Sequence, residues 1–444
     1  MNPVTFDPEI RIVDTIQYRH FSTPSKDNRL LFGLNNFTDI VDQETHKEIN
    51  RFAFEINNNT INTSSDIFDL IIIGSGPSGA TCALALKNSG LKIALLDKAV
   101  FPRDKVCGDA IGGRVKRVLE QIDPQLLSDW EKFPQKNVSR GWKLVAPNGK
   151  EASVYFSNYG YVATRMHFDE YLFRKASQVD GIKILEGDGV KSIQCQKDGV
   201  EVFTTSGKNF KSKMIVGCDG AHSVVAKQLA GFKVNLKEYS GAVRAYYENI
   251  SGIEDPNLIE IYLLKNYLPG YFWIFPLSAT SANVGFGMLS EDIQKRKIDL
   301  KKAMSDIVES SPLLKTRFVN AKMKGKIEGF GLPLGGSKHQ ISGDRFLLCG
   351  DAASLIDPLN GEGIGNAMWS AKLAADVIQD AFRKQDFSAT FLYQYDQSVN
   401  SKLLPELRKK WRMQKAFNRS WLINSLVRIG SKSPGFRNWI GRKL

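Results

Sequence analysis

Three glycines at fixed spacing indicate where chemistry begins in this 444-residue chain. Gly74, Gly76 and Gly79 follow an apolar run that ends at Ile73, and an alanine-rich segment comes directly after them. A strand, turn and helix of this kind leaves free N–H groups at the start of the helix, where they bind phosphate oxygens. Gly74 permits the turn, Gly76 lets the backbone approach a pyrophosphate, and Gly79 lets the helix pack against the strand. The pattern predicts a dinucleotide site.

A carboxylate follows the next apolar run, as such a site requires. Leu91–Leu96 predicts a second strand, and Asp97 comes directly after it, 18 residues beyond Gly79. A carboxylate in this position accepts hydrogen bonds from a ribose. Ser78, inside the glycine turn, is also expected to contact the cofactor.

Composition places the chain among ordinary globular enzymes. Hydrophobic residues make up 42% and charged residues 24%, and there is no apolar run of about 18 residues that predicts a membrane-spanning helix. The five cysteines are widely spaced and the histidines are scattered, so we expect reduced thiols and no metal site. The N-terminal residues lack the pattern of a secretory signal. The expected location is cytoplasmic.

The positive charge is concentrated at the C-terminus. The formal net charge is +13, and residues 402–444 contain twelve basic residues and one acid, Glu406. Leucines and tryptophans recur among these charges at helical spacing, which is typical of a helix lying on an anionic membrane surface. The alternative is an ordinary solvated helix packed on the enzyme. Nucleic acid is not an expected partner, because no recognition motif is present.

Three separated stretches resemble, in their order, the FAD-dependent oxidoreductases that include p-hydroxybenzoate hydroxylase. These stretches are Gly74–Gly79, Gly217–Ser223, and Gly350–Ala353 with Gly361–Ile364. The resemblance implies FAD, with Asp351 holding the ribityl hydroxyls. It also implies that a helix beginning at Gly363 and Ile364 faces the pyrimidine edge of the flavin. Asp219 has two interpretations, a structural turn acid or a residue near the flavin or nicotinamide.

Two further stretches resemble the geranylgeranyl reductases within that group. Lys105–Asp109 resembles their Lys-x-Cys-Gly loop, and Tyr271–Pro276 followed by Gly285–Gly287 resembles their Tyr-x-Trp-x-Phe-Pro and Gly-x-Gly pattern. That family reduces isolated C=C bonds in polyprenyl chains. The resemblance therefore implies a reductase of an isoprenoid small molecule or lipid, whose FAD is reduced by NAD(P)H or a ferredoxin-type donor.

The resemblance also implies roles for residues near the flavin. Cys107 is the candidate catalytic residue, as proton donor or flavin-positioning group; the alternative is that it only fits a tight loop. Gly108 and Ala110, on the same loop, are expected beside the cofactor. The family alignment places Arg165 against FAD and Val190 at the adenine.

The aromatic strand is expected to bind the substrate. Tyr271, Trp273 and Phe275 alternate along the strand and therefore share one face. This face either lines a hydrophobic slot and stabilises cationic character through its rings, or it is simply sheet core. The predicted substrate-binding set is completed by Pro276, Gly285 and Gly287.

The order of the elements indicates an α/β fold with a Rossmann-like FAD-binding domain interleaved with an antiparallel-sheet substrate domain, plus a helical C-terminus. The predicted divisions are an N-terminal extension and linker at 1–66, an FAD-binding domain at 67–240 and 340–385 with a small meander at 182–212, a substrate domain at 241–339, and a basic helical region at 386–444.

A second interpretation is a flavin-dependent monooxygenase or halogenase acting on an aromatic or lipophilic small molecule. Halogenases of this fold usually carry Trp-x-Trp-x-Ile-Pro, and many have Gly-Glu-Ser in the early loop. Tyr271–Pro276 and Gly108–Ala110 depart from both patterns. Both departures favour the reductase.

Overall fold

The computed structural model describes residues 66–433, together with residues 435 and 437. Within them the strands are β1 Asp66–Ile73, β2 Ile93–Leu96, β3 Ala110–Ile111, β4 Asn137–Val145, β5 Glu151–Val162, β6 Ile182–Leu185, β7 Val190–Cys195, β8 Val200–Thr204, β9 Asn209–Gly217, β10 Tyr239–Glu248, β11 Leu258–Tyr262, β12 Tyr271–Pro276, β13 Ala282–Leu289, β14 Lys322–Pro333, β15 Ser342–Gly343 and β16 Phe346–Leu348. The helices are α1 Pro77–Ala85, α2 Gly113–Ile122, α3 Pro124–Lys132, α4 Arg165–Ser177, α5 Val224–Leu229, α6 Ser290–Arg296, α7 Leu300–Ser310, α8 Lys315–Phe318, α9 Ile364–Lys384, α10 Ala389–Lys402, α11 Leu404–Ala416 and α12 Ser420–Lys432. Residues 1–65 of the predicted extension lie outside the described residues.

The first sheet is built around β1. Its strands run in the order β15-β16-β9-β1-β2-β6, and all neighbours are parallel except β15 and β16. Leu70, Ile71, Ile72 and Ile73 are buried, because β1 is paired on both sides and covered on both faces. A continuous apolar run is typical of such a strand. The alanine-rich helix α1 packs against α9 in the same core.

The small meander differs from the prediction for residues 182–212. Strands β7, β8 and β9 form it, with antiparallel pairing throughout. Strand β6 instead extends the parallel sheet beside β2. Ile182, Ile184 and Leu185 pack there against the main core. The apolar character of β6 explains why it joins the parallel sheet and not the more polar hairpin of β7 and β8.

The second sheet is mainly antiparallel, in the order β14-β10-β13-β12-β11-β4-β5-β3. Only β11 and β4 pair in parallel. Residues 110–162, expected within the FAD-binding domain, thus contribute β3, β4 and β5 to this sheet. The chain passes repeatedly between the two sheets, so the predicted interleaved α/β fold is confirmed. The assignment of one part to FAD and the other to substrate stays a prediction.

The last helix, α12, packs on β5 of the second sheet, whereas α10 packs on β15 and β16 of the first sheet. Ile423 and Val427 of α12 are buried against Ala152 and Leu263, so one stripe of this helix is packed as in an ordinary globular enzyme. Trp421, on the same helix, is 63% exposed. Among the described residues, no helix has the length and apolar character needed to cross a bilayer.

Candidate active site

The carboxyl ends of three parallel strands bring the three glycine-containing stretches together. Ile73 of β1 is paired with Gly217 of β9, which is paired in turn with Leu348 of β16. The Cys218 N–H donates to the Ile73 carbonyl at 2.7 Å, and the Cys349 N–H donates to the Gly217 carbonyl at 2.9 Å. The turns that follow these strands therefore lie at one edge of the sheet, where ligands bind in open α/β sheets.

The glycine turn has two glycines that the protein itself requires and one that it does not. Gly74 has φ +97°, and a Cβ there would lie 2.4 Å from the Cys218 carbonyl oxygen. A Cβ on Gly79 would lie 1.8 Å from the Gly74 carbonyl oxygen. At Gly76 a Cβ would meet only Arg103 Nη2, at 3.4 Å. The space beside Gly76 is consistent with close approach of a ligand, as predicted.

Asp97 holds the glycine turn from the end of β2. Its carboxylate accepts the Ser75 N–H at 2.7 Å and the Ala99 N–H at 2.9 Å. The Asp188 N–H donates to the Asp97 carbonyl at 3.2 Å, which brings the start of β7 and Val190 to this corner. Ser75 Oγ is buried without a hydrogen-bond partner among the described residues. This corner thus offers polar groups to a ligand.

Arg165 begins α4 and makes a buried ion pair. It is 3% exposed and binds Asp169 in two places, at 2.6 Å and 2.7 Å. Arg103 donates to the same carboxylate at 2.6 Å. Although burial opposes ionisation, the two guanidinium groups hold the pKa of Asp169 below its ordinary value. Arg103, which the sequence did not single out, is the cation beside Gly76.

Asp351 and the start of α9 lie at the same edge. Lys105 Nζ, on the Cys107 loop, lies 3.1 Å from Asp351 Oδ2. Gly363 precedes α9 without a side-chain cap, so the first N–H groups from Ile364 onward are available to an anion. Ser78 Oγ donates to the Ala367 carbonyl at 3.4 Å, which joins the glycine turn to this helix.

Asp219 has a structural task. Its carboxylate accepts the Ser223 hydroxyl at 2.5 Å and the Val224 N–H at 2.6 Å, which caps the start of α5. Burial raises the pKa of Asp219. These contacts agree with the structural turn acid; a contact with the cofactor stays a prediction.

The Cys107 loop lies against the aromatic face of β12. A Cβ on Gly108 would approach the Phe275 ring at 3.0 Å and Trp273 Nε1 at 3.6 Å. The Cys107 sulfur accepts the Asp109 N–H at 3.4 Å, and burial raises the pKa of its thiol. Ala110 follows this loop directly and is the first residue of β3.

The two predicted glycines of β13 make room for the aromatic rings. Tyr271 is paired with Gly287, and Trp273 with Gly285. A Cβ on Gly285 would lie 2.1 Å from the Trp273 ring, so that ring requires glycine opposite it. Trp273 is 6% and Phe275 7% exposed. Packing thus explains Gly285, whereas a Cβ on Gly287 would lie 3.7 Å from the Trp273 ring; the contact of both glycines with substrate stays a prediction.

A buried polar network joins the loop to the aromatic strand. Asn283 Nδ2 donates to the Cys107 carbonyl at 2.7 Å and to Asp109 Oδ2 at 2.8 Å. Its Oδ1 accepts the Trp273 Nε1–H at 2.9 Å. The Tyr246 hydroxyl donates to Asp109 Oδ2 at 2.7 Å. Burial raises the pKa of Asp109 to about 7, despite these hydrogen bonds.

Sequence reasoning missed most of this network. The sequence indicates Asp109 only as the last residue of the Lys105–Asp109 loop, and no motif singles out Tyr246 or Asn283. One signal was present: a polar residue, Asn283, opposite Phe275 in a strand whose neighbours are apolar. Its partners could not be identified without the fold.

Comparison with known proteins agrees with this geometry. A family profile described as an FAD binding domain matches residues 68–395. The digeranylgeranylglycerophospholipid reductase of Methanococcus vannielii is 30% identical over 359 residues, which cover 78% of this chain and 87% of the relative.

Two solved structures share the fold. A geranylgeranyl bacteriochlorophyll reductase-like protein from Thermoplasma acidophilum superposes with a TM-score of 0.73 at 22% identity, covering 85% of this chain and 96% of the other. The halogenase PltM, in complex with FAD, superposes with a TM-score of 0.66 at 18% identity, covering 84% and 85%.

The fold and the strand-edge site define an FAD-dependent oxidoreductase. Within that class, the chain belongs to the FAD binding domain family and to the family of digeranylgeranylglycerophospholipid reductases. The resemblance stated from sequence is confirmed. The residues present fit FAD: the turn is closed to side chains at Gly74 and Gly79 and open at Gly76, and the Ser75 hydroxyl lacks a partner among the described residues.

Substitutions at two glycines of the turn should have different effects, one on FAD binding and the other on the stability of the fold. Gly76→Ala should leave the unfolding temperature of the FAD-free chain unchanged and weaken FAD binding at least about tenfold, because its Cβ occupies ligand space. Gly79→Ala should destabilise the chain by about 3 kcal/mol, because its Cβ meets backbone. Thermal unfolding and flavin fluorescence titration measure the two effects. Unchanged FAD affinity in Gly76→Ala would place the pyrophosphate elsewhere.

Asp109→Asn should stabilise the chain in a pH-dependent way. Between the ordinary pKa of 3.8 and about 7, the unfolded state releases a proton that the folded state keeps. Folded Asp109 therefore lowers stability as pH rises through this window. Asparagine tolerates the left-handed backbone at φ +65° and keeps both accepted hydrogen bonds.

The unfolding temperature of Asp109→Asn should exceed that of wild type by several degrees at about pH 8 and match it near pH 4. The control is Asp169→Asn, in which the pKa of the replaced group is lowered, so stability should fall at about pH 8. A pH-independent difference for Asp109→Asn would contradict the expected protonation.

Proposed function

We propose that this chain saturates C=C bonds of a polyprenyl lipid or related isoprenoid, using FAD reduced by NAD(P)H or a ferredoxin-type donor. One observation carries the proposal: the Cys107 loop is fixed against the aromatic face of Trp273 and Phe275. The family match supplies the substrate class. A dry aromatic face beside a loop that reaches the flavin suits an apolar alkene.

The residues of this chain supply what an unconjugated alkene needs. Such an alkene is a poor hydride acceptor, so one carbon must be protonated as the other receives hydride. When bound, FAD in its reduced form supplies the hydride. Trp273 and Phe275 exclude water and stabilise cationic character at carbon through their ring faces. An acid on the Cys107 loop supplies the proton.

Binding of FAD is assigned to groups at the strand edge. We assign the pyrophosphate to Gly76 and the α1 N-terminus, and the ribose to Asp97. Arg165 shares Asp169 with Arg103, the cation beside Gly76. Asp351 is assigned to the ribityl chain. The α9 N-terminus, from Ile364, favours negative charge on the reduced flavin.

The halogenase or monooxygenase alternative shares the fold but not the local residues. PltM shows that halogenases adopt this architecture. The strand here is Tyr-x-Trp-x-Phe-Pro, and Gly108 is followed by Asp109 and Ala110. These residues, with the 30% identical reductase, favour saturation of C=C bonds.

The direct test is anaerobic. The FAD-loaded chain is reduced with dithionite and mixed with geranylgeranyl substrates, and saturated products are sought by mass spectrometry. We expect flavin reoxidation coupled to a mass gain of two hydrogens per reduced bond. Trp273→Ala should lower this rate at least about tenfold while retaining dithionite-reducible FAD, because the aromatic face is interrupted.

The competing activity is measured in the same preparation. Wild-type enzyme with NADPH, oxygen and an aromatic substrate should oxidise NADPH slowly and insert no oxygen or halogen. Rapid NADPH oxidation coupled to such insertion, with no saturated isoprenoid, would favour the monooxygenase or halogenase.

We also propose that the C-terminal helices bind an anionic membrane surface, where a polyprenyl substrate dissolves. Apolar Trp421 and Ile429 are 63% and 49% exposed on the side of α12 that does not face the sheet. Among the described residues, the exposed basic side chains of α11, α12 and the turn between them are Arg408, Lys409, Arg412, Lys415, Arg419, Arg428 and Lys432. Exposed aromatic and basic side chains together suit the interface of an anionic bilayer.

Vesicle sedimentation tests this surface. Binding to phosphatidylglycerol vesicles should exceed binding to phosphatidylcholine vesicles and weaken with salt. Replacing Arg428 and Lys432 by Glu should weaken it at least about tenfold. The matched control replaces Lys322 and Lys326, exposed on β14, by Glu. Equal losses in both variants would show that net charge alone, and not this helix, is responsible.

A further inference from the structure

The hydrogen bonds of Asp109 engage only one of its two carboxyl oxygens. Oδ2 accepts hydrogen bonds from Asn283 at 2.8 Å and from Tyr246 at 2.7 Å. Oδ1 is buried and has no hydrogen-bond partner among the described residues. Because Oδ2 is used by two donors, the hydrogen of the neutral acid lies on Oδ1. The neutral acid thus has a hydrogen that no group among the described residues accepts.

The surroundings of Asp109 keep a large fraction of it protonated near neutral pH. It is 0% exposed, and burial raises its pKa to about 7. The charged and titratable groups that face it are Tyr246 and Arg244 of β10, Arg165 of α4 and Cys107 of its own loop.

Both cations near Asp109 have other carboxylate partners. Arg244 pairs with Asp104 and with Glu328, and Arg165 pairs with Asp169. They lower the pKa of Asp109 without forming an ion pair with it. The protonated acid is therefore well populated near neutral pH, and its anion is also stabilised by the two cations.

Asp109 is adjacent to the aromatic face. Its neighbour Gly108 lies against Phe275, and Asn283 connects its carboxyl group to the Trp273 indole. No other described acid is joined by hydrogen bonds to both the Cys107 loop and β12 in this way. The unpartnered Oδ1 thus belongs to the part of the chain assigned to the alkene.

We propose that Asp109 is the proton donor in C=C reduction and that the proton leaves from Oδ1; this inference rests on the proposed function. One alkene carbon accepts a hydride, with its electron pair, from reduced FAD. The other carbon accepts the Asp109 proton, so the C=C bond becomes a C–C bond and two C–H bonds form. The resulting Asp109 carboxylate keeps the hydrogen bonds from Asn283 and Tyr246, and a proton from solvent restores the acid.

Two other groups compete for this role. Burial raises the pKa of the Cys107 thiol above its ordinary value of 9.0, which makes it a weak acid at neutral pH. Glu362 also has a buried oxygen without a partner among the described residues, and burial raises its pKa. Its oxygens lie against Gly112 and Gly365, however, and not against the aromatic face.

The kinetic test uses the FAD-loaded full chain, reduced with dithionite, at pH values from about 5 to about 9. Wild-type saturation should fall about tenfold per pH unit above about pH 7, because Asp109 must be protonated. Asp109→Asn should be at least about a hundredfold slower and lose this pH dependence. Tyr246→Phe should move the fall to higher pH, because a hydrogen bond that lowers the Asp109 pKa is lost.

The matched control is Asp396→Asn, a buried acid outside the site. Its carboxyl oxygens accept the Ile341 N–H and the Ser342 hydroxyl, contacts that asparagine can replace. It should keep both the rate and the pH dependence. Flavin content and reoxidation by oxygen should be the same in all variants, which separates proton donation from loss of FAD.

Infrared difference spectroscopy provides a readout independent of activity. Wild type should show a carboxylic-acid C=O band that disappears between about pH 6 and about pH 8. Asp109→Asn should lack this band, whereas Asp396→Asn and Glu362→Gln should retain it. Absence of the band in wild type would overturn the inference even if no isoprenoid is reduced.

The outcomes separate the inference from the proposed function. Wild type that saturates no isoprenoid contradicts the proposed function. Wild type that saturates isoprenoids, with Asp109→Asn within about threefold of it, contradicts only the role of Asp109. Loss of the pH dependence in Cys107→Ala or Glu362→Gln, but not in Asp109→Asn, would transfer the role to that residue.

Discussion

The candidate site at the carboxyl ends of the parallel strands depends on one constraint, the position of β9 between β1 and β16. Gly217 lies between Ile73 and Leu348, and a Cβ there would come within 2.8 Å of Leu348 and of Val225. This layer therefore packs closely only with glycine at the end of β9. Because all three strands end at the same edge, turns that are separated by more than a hundred residues come together there.

Asn283 exerts a similar constraint on the reactive side. Its amide uses both donors and its acceptor, on the Cys107 carbonyl, Asp109 and Trp273. Since the amide is fully buried, an unmade bond would cost free energy, so the loop and the aromatic strand hold each other in place. The Cys107 loop thereby has a fixed position relative to the aromatic face.

Local patterns account for the parts that sequence predicted. The glycine turn, Asp97, Asp351 and the α9 start each depend on a strand and the few residues after it, and the structure places them at one edge. The aromatic alternation of β12 was equally readable, because a strand has a period of two.

The parts that sequence did not predict depend on distant pairing. The transfer of β6 to the parallel sheet, and of residues 110–162 to the second sheet, follows from partners far along the chain. Asp109 and Asn283 are 174 residues apart, and neither belongs to a local motif that implies the other. For Asp219 the sequence left two interpretations open, and the contacts of its carboxylate with Ser223 and Val224 agree with the structural turn acid.

The parallel pairing of β4 with β11 also matters while the chain is being made. About 110 residues separate the end of β4 from the start of β11. At ribosomal rates of about 5–20 residues per second, β4 waits roughly 5–20 seconds for its partner. During that time its outer edge exposes unpaired N–H and C=O groups, which favour aggregation. Interleaving thus leaves both sheets open until late in synthesis: β14 completes the second sheet, and β15 and β16 complete the first sheet only after it.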